Sequence, residues 1–163
     1  MSPADSLIHC NTGGWIFPKL MKKILMGIDY GDVRTGIAVS DALGILASGV
    51  GTFNCTGKRV LAQIIKEQAE KYRVDEFVMG NPINMNGTVG ERSDKVRAFA
   101  EYLAEETGKP VHLFDERCTT MAAHQILNLT DTRGKKRKAV VDTLSAQIIL
   151  QNYMDMHKNE LDK

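Results

Sequence analysis

The stretch KILMGIDYGDVRTGIAVSD, which runs from Lys23 to Asp41, decides the fold class of this 163-residue chain. Its first half is a short apolar run that ends in the carboxylate of Asp29, and a glycine-containing turn follows. Its second half, residues 36–41, is apolar again. Two short apolar runs separated by such a turn predict two strands joined in a hairpin.

The rest of the chain continues with alternating strand and helix patterns. Helices are predicted where apolar residues recur every three or four positions, and strands where short apolar runs end at turn residues. The succession is βββαβαβαα, which predicts an α/β fold with a five-stranded mixed sheet flanked by helices, its first three strands antiparallel. That succession is the ribonuclease H-like order. The predicted segments after the hairpin are a strand at Leu46–Phe53, a helix at 57–72, a strand at 77–80, a helix at 91–107, a strand at 111–116, a helix from Thr119 or Thr120 to about Leu129, and a last helix near Lys138–Met156.

The ends of the chain differ in character from its middle. Residues 1–20 carry no clear periodicity, whereas Met21 is followed directly by the first patterned strand. We therefore predict a leader at 1–21, interpreted either as a non-native extension ahead of a start at Met21 or as a disordered segment. A single domain at 22–158 and a tail at 159–163 follow.

Composition narrows the class of protein. The formal net charge is +1 at pH 7, and no apolar run approaches the ~18 residues that a membrane helix needs. The three cysteines, Cys10, Cys55 and Cys118, are widely spaced and form no CxxC pair, which argues against a zinc site or a disulfide framework. We therefore expect reduced thiols in a cytoplasmic protein that does not associate with membranes.

Acidic residues at strand and helix ends are the strongest candidates for chemistry. Asp29 ends the first strand, Glu116 ends the last strand, and Asp142 lies near the start of the final helix. An unpaired buried carboxylate is costly, so a carboxylate that ends an apolar strand indicates a salt bridge, a helix cap or a bound divalent cation. Two such cations hydrolyse phosphodiesters with little more than carboxylate ligands from the protein. We predict Asp29, Glu116 and Asp142 as catalytic residues that hold Mg²⁺ or Mn²⁺, with Asp115 as the alternative to Glu116.

Basic residues lie close in sequence to these acids. Residues 133–138 hold five positive charges in six positions, precede Asp142 and are predicted to form a loop. Such a run on a nearly neutral chain is typical either of a solvated loop or of a surface that meets the phosphates of a nucleic acid. Its adjacency to a proposed metal ligand favours nucleic acid. The predicted nucleic-acid-binding residues are Arg34, Arg117, Arg133, Lys135, Lys136, Arg137 and Lys138.

Four motifs, in matching order and spacing, resemble one known family. They are GIDYGDVRTGIAVSD at 27–41, GNP followed by four residues and a glycine at 80–87, DERCTT at 115–120, and KAVVD at 138–142. Together they are similar to the signatures of the YqgF (RuvX, Holliday-junction-resolvase-like) family. The similarity runs through residues 22–154.

The resemblance implies a ribonuclease H-like fold related to the RuvC resolvases, and it supports Asp29, Glu116 and Asp142 as the acidic site. It also implies a nuclease that matures the 5′ end of pre-16S ribosomal RNA, with Holliday junction (four-way DNA) resolution as the alternative activity. The expected partner is structured RNA, or branched DNA under the alternative. The chain is expected to be a monomer or a homodimer.

Two other classes of protein fit parts of the sequence. An inert nucleic-acid-binding module would keep the fold, but it would not need all three carboxylates. An actin-like or Hsp70-like ATPase also has an Asp-x-Gly turn after its first strand. That class needs two such domains and a second phosphate loop, and 163 residues leave room for one domain.

Overall fold

The computed structural model of the chain describes residues 22–118 and 135–158. A five-stranded sheet with the strand order β3-β2-β1-β4-β5 lies at its centre. The first three strands pair antiparallel, and β4 runs parallel to both β1 and β5, so the predicted mixed sheet is confirmed. The strands are β1 (Leu25–Asp29), β2 (Arg34–Ser40), β3 (Ala47–Asn54), β4 (Glu76–Asn81) and β5 (Val111–Asp115).

Helices follow the third, fourth and fifth strands. They are α1 (Lys58–Tyr72), α2 (Glu91–Thr107) and α3 (Lys135–Met156), with a short 3₁₀ helix (Glu116–Cys118) directly after β5. The helix predicted between Thr119 or Thr120 and Leu129 lies outside the described residues, as do the predicted leader and tail. None of the helices in the described part of the chain has the length and apolar character that a membrane span requires.

The sheet separates two apolar layers because neighbouring side chains on a strand point to opposite faces. Met26 and Ile28 of β1 pack in the layer that contains α1 and α2, whereas Leu25 packs in the layer that contains α3. The apolar spacing of residues 57–72 predicts that Val60 is buried in α1, but its side chain is exposed. That helix instead turns two alanines toward the sheet together with its leucine and isoleucine; its buried residues are Leu61, Ala62, Ile65 and Ala69.

Glycines on four neighbouring strands seat α3 against the sheet. A Cβ added at any of them would overlap atoms of α3: 2.6 Å from Thr143 at Gly49, 1.9 Å from Asp142 at Gly36, 2.6 Å from Leu150 at Gly27 and 2.5 Å from Ile149 at Gly80. The absence of side chains on these glycines therefore lets the helix approach the strand backbone closely. We call Gly49, Gly36, Gly27 and Gly80 the glycine row.

Two details of the prediction for the last helix are wrong. The helix begins at Lys135 rather than near Lys138, so most of the basic run is helical and not a loop. The apolar spacing of this segment also predicts a buried face through Val141, Leu144 and Ile148, but these three side chains are only partly buried. The fully buried apolar residues of α3 are Ala146, Ile149, Leu150 and Met154.

Polar residues of α3 bind the main chain at the start of the edge strand β3. The side-chain amide of Gln147 donates to the carbonyl oxygen of Ala47 over 2.9 Å. Gln151 accepts from the amide of Ala47 and donates to the carbonyl oxygen of Ile45, each over 2.9 Å. The helix is thus tied to this edge by hydrogen bonds as well as by apolar contact.

Candidate active site

The fold brings the three predicted acids to the end of the sheet at which β1 and β5 finish. Asp29 ends β1, and its register partner on β2 is Gly36. The backbone of Asp142 lies over that glycine, since a Cβ on Gly36 would be 1.9 Å from the Asp142 carbonyl oxygen. Asp142 therefore sits beside the end of β1. It lies two turns inside α3 rather than near its start, because α3 begins seven residues earlier.

Glu116 reaches the same place from the far side of β4. It follows β5, and a Cβ on Gly80 of β4 would lie 2.7 Å from its Oε1 atom. Strand β4 lies between β5 and β1, so this carboxylate is turned toward Asp29. Its Oε1 atom lies on the face of the sheet against which α3 packs, and Phe114 packs on that same face.

Asp115 has a different environment from its neighbour. The Arg117 backbone amide donates to its Oδ1 atom over 2.9 Å, and the guanidinium Nη2 donates to Oδ2 over 2.6 Å. These hydrogen bonds, together with the positive charge of Arg117, lower the pKa of Asp115. Asp115 is therefore engaged by Arg117, and Glu116 is the acid of this pair that approaches the other two.

Asp29 feels the other two acids directly. Burial raises its pKa to about 6, and the negative charges of Glu116 and Asp142 act in the same direction, while the positive charge of Arg92 opposes them. A carboxyl group is harder to ionise when it is desolvated and when like charges surround it. The three acids thus form one electrostatically coupled cluster, which we call the acidic cluster.

Arg92 is a residue of this site that the sequence reasoning missed. It is exposed in the first turn of α2 and is the one cation among the main influences on the pKa of Asp29. Strands β1 and β4 are parallel, so the loop that connects β4 to α2 starts at the same end of the sheet as Asp29. The position of this loop in the sequence could have indicated that Arg92 lies near Asp29.

The cations predicted from the sequence differ in their placement. Arg34 donates from Nε to Oδ2 of Asp142 over 2.8 Å, and Arg117 is bound to Asp115. Lys138 is exposed one helical turn before Asp142. Residues 135–137 belong to the first turn of α3, and Arg133 lies outside the described residues.

The acidic cluster suits a divalent cation in its chemistry. Its ligand atoms are carboxylate oxygens, which Mg²⁺ and Mn²⁺ prefer, and its mutual repulsion is the kind that a cation relieves. In the described part of the chain, however, no group of three or more His, Cys, Asp or Glu side chains is close enough to hold a metal ion. The bond from Arg34 engages one of the three carboxylates, so the side chains share a region without forming a closed ligand set.

Comparison with known families decides which proteins this chain is related to. The family described as "RuvX: Holliday junction resolvase" matches residues 23–156. The chain belongs to the RuvX family.

Curated relatives support the same assignment. One RuvX relative, from Moorella thermoacetica, is 43% identical over 131 residues, which cover 80% of this chain and 94% of the relative. Another, from Clostridioides difficile, is 43% identical over 135 residues, which cover 83% of this chain and 96% of the relative. Both carry the name "Putative pre-16S rRNA nuclease". The predictions of this family and of a family of nucleases are confirmed.

Solved structures support the fold of this RuvX chain. Thermus thermophilus RuvC in complex with a Holliday junction substrate superposes with a TM-score of 0.53 at 15% identity, covering 82% of this chain and 96% of that one. A second Thermus thermophilus RuvC structure gives a TM-score of 0.51 with the same identity and coverage. At this identity the likeness concerns the fold, and it confirms the predicted ribonuclease H-like class.

Proposed function

We propose that this chain is a divalent-metal-dependent endonuclease that matures the 5′ end of pre-16S ribosomal RNA in the cytoplasm. One observation carries the proposal: Asp29, Glu116 and Asp142 lie at the same end of the sheet. The charges of Glu116 and Asp142 help to raise the pKa of Asp29. Concentrated negative charge of this kind is stabilised by a divalent cation. The choice of RNA rests on the names of the curated relatives.

The carboxylates of the acidic cluster and the exposed basic residues near it have distinct roles in this proposal. Asp29, Glu116 and Asp142 would hold the divalent cations. When bound, the cations activate the attacking water and stabilise the leaving oxygen. Basic side chains of the protein orient the substrate by contacting its phosphate oxygens. Arg92 and Lys138 are exposed and lie beside the acidic cluster, so they are candidates for this role.

The activity and its substrate are tested in one assay. Purified protein is incubated with a precursor RNA that contains the 5′ end of 16S ribosomal RNA and, separately, with a synthetic four-way DNA junction. We expect cleavage of the RNA in Mg²⁺ or Mn²⁺ and none in a chelator. Cleavage that persists in the chelator would contradict the metal-dependent mechanism, and faster cleavage of the junction would reverse the choice of substrate.

The four-way junction is the second candidate substrate because the family description names a Holliday junction resolvase. A resolvase must cut two strands at related positions, which requires a symmetric dimer. Cleavage of a single RNA end requires no symmetry. A monomer in sedimentation under the assay conditions therefore favours RNA, whereas a homodimer is compatible with either substrate.

Neighbouring acids provide a matched test of the metal ligands. Glu116→Gln removes a charge from the acidic cluster, so we expect cleavage to fall by about a hundredfold, since one lost ligand costs a few kcal/mol of transition-state stabilisation. Asp115→Asn removes the same charge from the pair with Arg117, and we expect a loss of only a few fold. The measurement is the single-turnover cleavage rate at fixed Mg²⁺. The reverse order of effects would make Asp115 the ligand.

Neutralising the basic run tests the nucleic-acid surface. Replacing Lys135, Lys136 and Arg137 by glutamine should weaken RNA binding and flatten its salt dependence, because each phosphate contact contributes about 0.7–0.9 to the slope of log K against log salt concentration. Fluorescence anisotropy at several salt concentrations measures both effects. The control replaces Arg59, Lys66 and Lys71 by glutamine; these three exposed cations lie on α1, across the sheet from α3. Equal slopes in the two triple variants would remove the basic run from the interface.

A further inference from the structure

Arg34 occupies an unusual place for a residue expected to bind phosphate. It is the first residue of β2, and its Nε atom donates to Oδ2 of Asp142 over 2.8 Å. The two residues are 108 positions apart in the chain. The guanidinium thus binds one carboxylate of the acidic cluster directly.

The fold holds the backbone of this pair in place but leaves the side chains able to turn. Gly36, two residues after Arg34, lies so close to α3 that an added Cβ would be 1.9 Å from the carbonyl oxygen of Asp142. The helix backbone has no room to shift toward the sheet here. Rotation of the two side chains separates the carboxylate from Arg34 without disturbing this backbone contact.

The pair is accessible enough to exchange partners. Side chains of Arg34 and Asp142 keep 27% and 23% of their exposure to solvent. Ion pairs that water reaches contribute little free energy, because solvent screens the charges and competes for the hydrogen bonds. A divalent cation is a stronger partner for the carboxylate than the guanidinium is. A phosphate oxygen is an anionic hydrogen-bond acceptor, as a carboxylate oxygen is, so it can replace Asp142 as the partner of the guanidinium.

We propose that Arg34 is a positioning residue that couples metal binding to nucleic-acid binding. In the observed arrangement its guanidinium holds the carboxylate of Asp142. When cations enter the acidic cluster, the carboxylate turns to them and the guanidinium passes to a phosphate of the nucleic acid. The inference rests on the proposed function, since it takes Asp142 as a metal ligand.

Metal affinity in the absence of nucleic acid gives the first test. Calorimetric titration with Mn²⁺ should show binding about two- to fivefold tighter in Arg34→Gln than in the wild type, the range expected when a solvent-reached ion pair no longer competes. Arg59→Gln, which removes an equal charge from the exposed surface of α1, should leave the affinity unchanged. Equal affinity in the wild type and Arg34→Gln would overturn the coupling role while leaving the metal site intact. No Mn²⁺ binding by the wild type would instead overturn the proposed function itself.

A second measurement uses only the wild-type protein, so its result does not depend on whether a variant folds. The arginine Nε–H signals of ¹⁵N-labelled wild type are recorded by NMR during titration with Mg²⁺. We expect the Arg34 signal to move with the midpoint of metal binding, and the Arg117 signal, whose Nε is bonded to Asp115, to remain. Movement of the Arg117 signal with a stationary Arg34 signal would overturn the proposal, because the cation would then engage Asp115 and not Asp142.

Discussion

Asp29→Asn is expected to lower the rate of metal-dependent cleavage by about a thousandfold or more, since a carboxylate that would hold the catalytic cations supports several kcal/mol of transition-state stabilisation. Asp29 is the member of the acidic cluster on which the charges of both other acids act. The measurement is single-turnover cleavage of precursor RNA at saturating Mg²⁺. Asp32→Asn is the matched control, because Asp32 lies three residues away, is exposed and pairs with Lys95. Near-normal activity in Asp29→Asn would end the assignment of this residue as the central ligand.

The same substitution should stabilise the metal-free protein, which separates a catalytic effect from unfolding. The pKa of Asp29 is about 6 in the folded protein, above its ordinary value of 3.8. The unfolded chain therefore ionises first as the pH rises, and the wild type loses stability between about pH 4 and pH 6. Asparagine does not ionise, so the variant avoids a loss on the order of 2 kcal/mol.

Urea denaturation in a chelator measures this second effect. We expect Asp29→Asn to unfold at a higher urea concentration than the wild type at pH 7.5. Near pH 3.5 Asp29 is mostly protonated in both the folded and the unfolded chain, so the two proteins should unfold at nearly the same urea concentration. A variant that is less stable than the wild type at pH 7.5 would show that the carboxylate is held by favourable contacts instead of being penalised by burial and repulsion.

Gly36→Ala is expected to cost about 3 kcal/mol or more of the free energy of unfolding, at the upper end of what overpacking costs. Its Cβ would lie 1.9 Å from the carbonyl oxygen and 2.4 Å from the carbonyl carbon of Asp142. Both are backbone atoms, so the strain is relieved only if α3 leaves the sheet. Because Asp142 moves with the helix, cleavage should fall as well. Equilibrium denaturation and the cleavage assay measure the two losses.

Gly90→Ala is the control for a glycine that has space. A Cβ there would meet only Asn84, at 3.6 Å, an ordinary contact. Gly90 is also the N-cap of α2 with a φ of −96°, which alanine adopts without strain. We expect a loss of about 1 kcal/mol or less, because alanine is a poorer N-cap than glycine. A Gly36→Ala protein as stable as Gly90→Ala would mean that α3 is not seated as closely as its contacts indicate.

Local patterns were sufficient to predict the sheet and the placement of two acids. Short apolar runs ending at turns marked the strands, and Glu116 followed from its place at the end of the strand predicted at 111–116. Asp29 followed from its place at the end of β1. These features depend on neighbours within a few residues, which a single sequence displays.

The features that the sequence concealed depend on contacts between distant segments. Apolar periodicity predicted a buried face of α3 through Val141, whereas the helix actually seats Asp142 and Thr143 on the glycine row. A face that packs on glycines needs no large apolar residues, so periodicity points elsewhere. The ion pair between Arg34 and Asp142 likewise joins residues whose proximity only the folded chain establishes.

The glutamines of α3 also bear on how copies of this protein meet. An exposed edge strand invites pairing by a strand from another molecule, since its amides and carbonyls are unused. At the start of β3 the amide and carbonyl of Ala47 are already bonded to Gln151 and Gln147. An incoming strand would have to displace these two glutamine side chains to reach them, so this end of β3 is protected against edge-to-edge association.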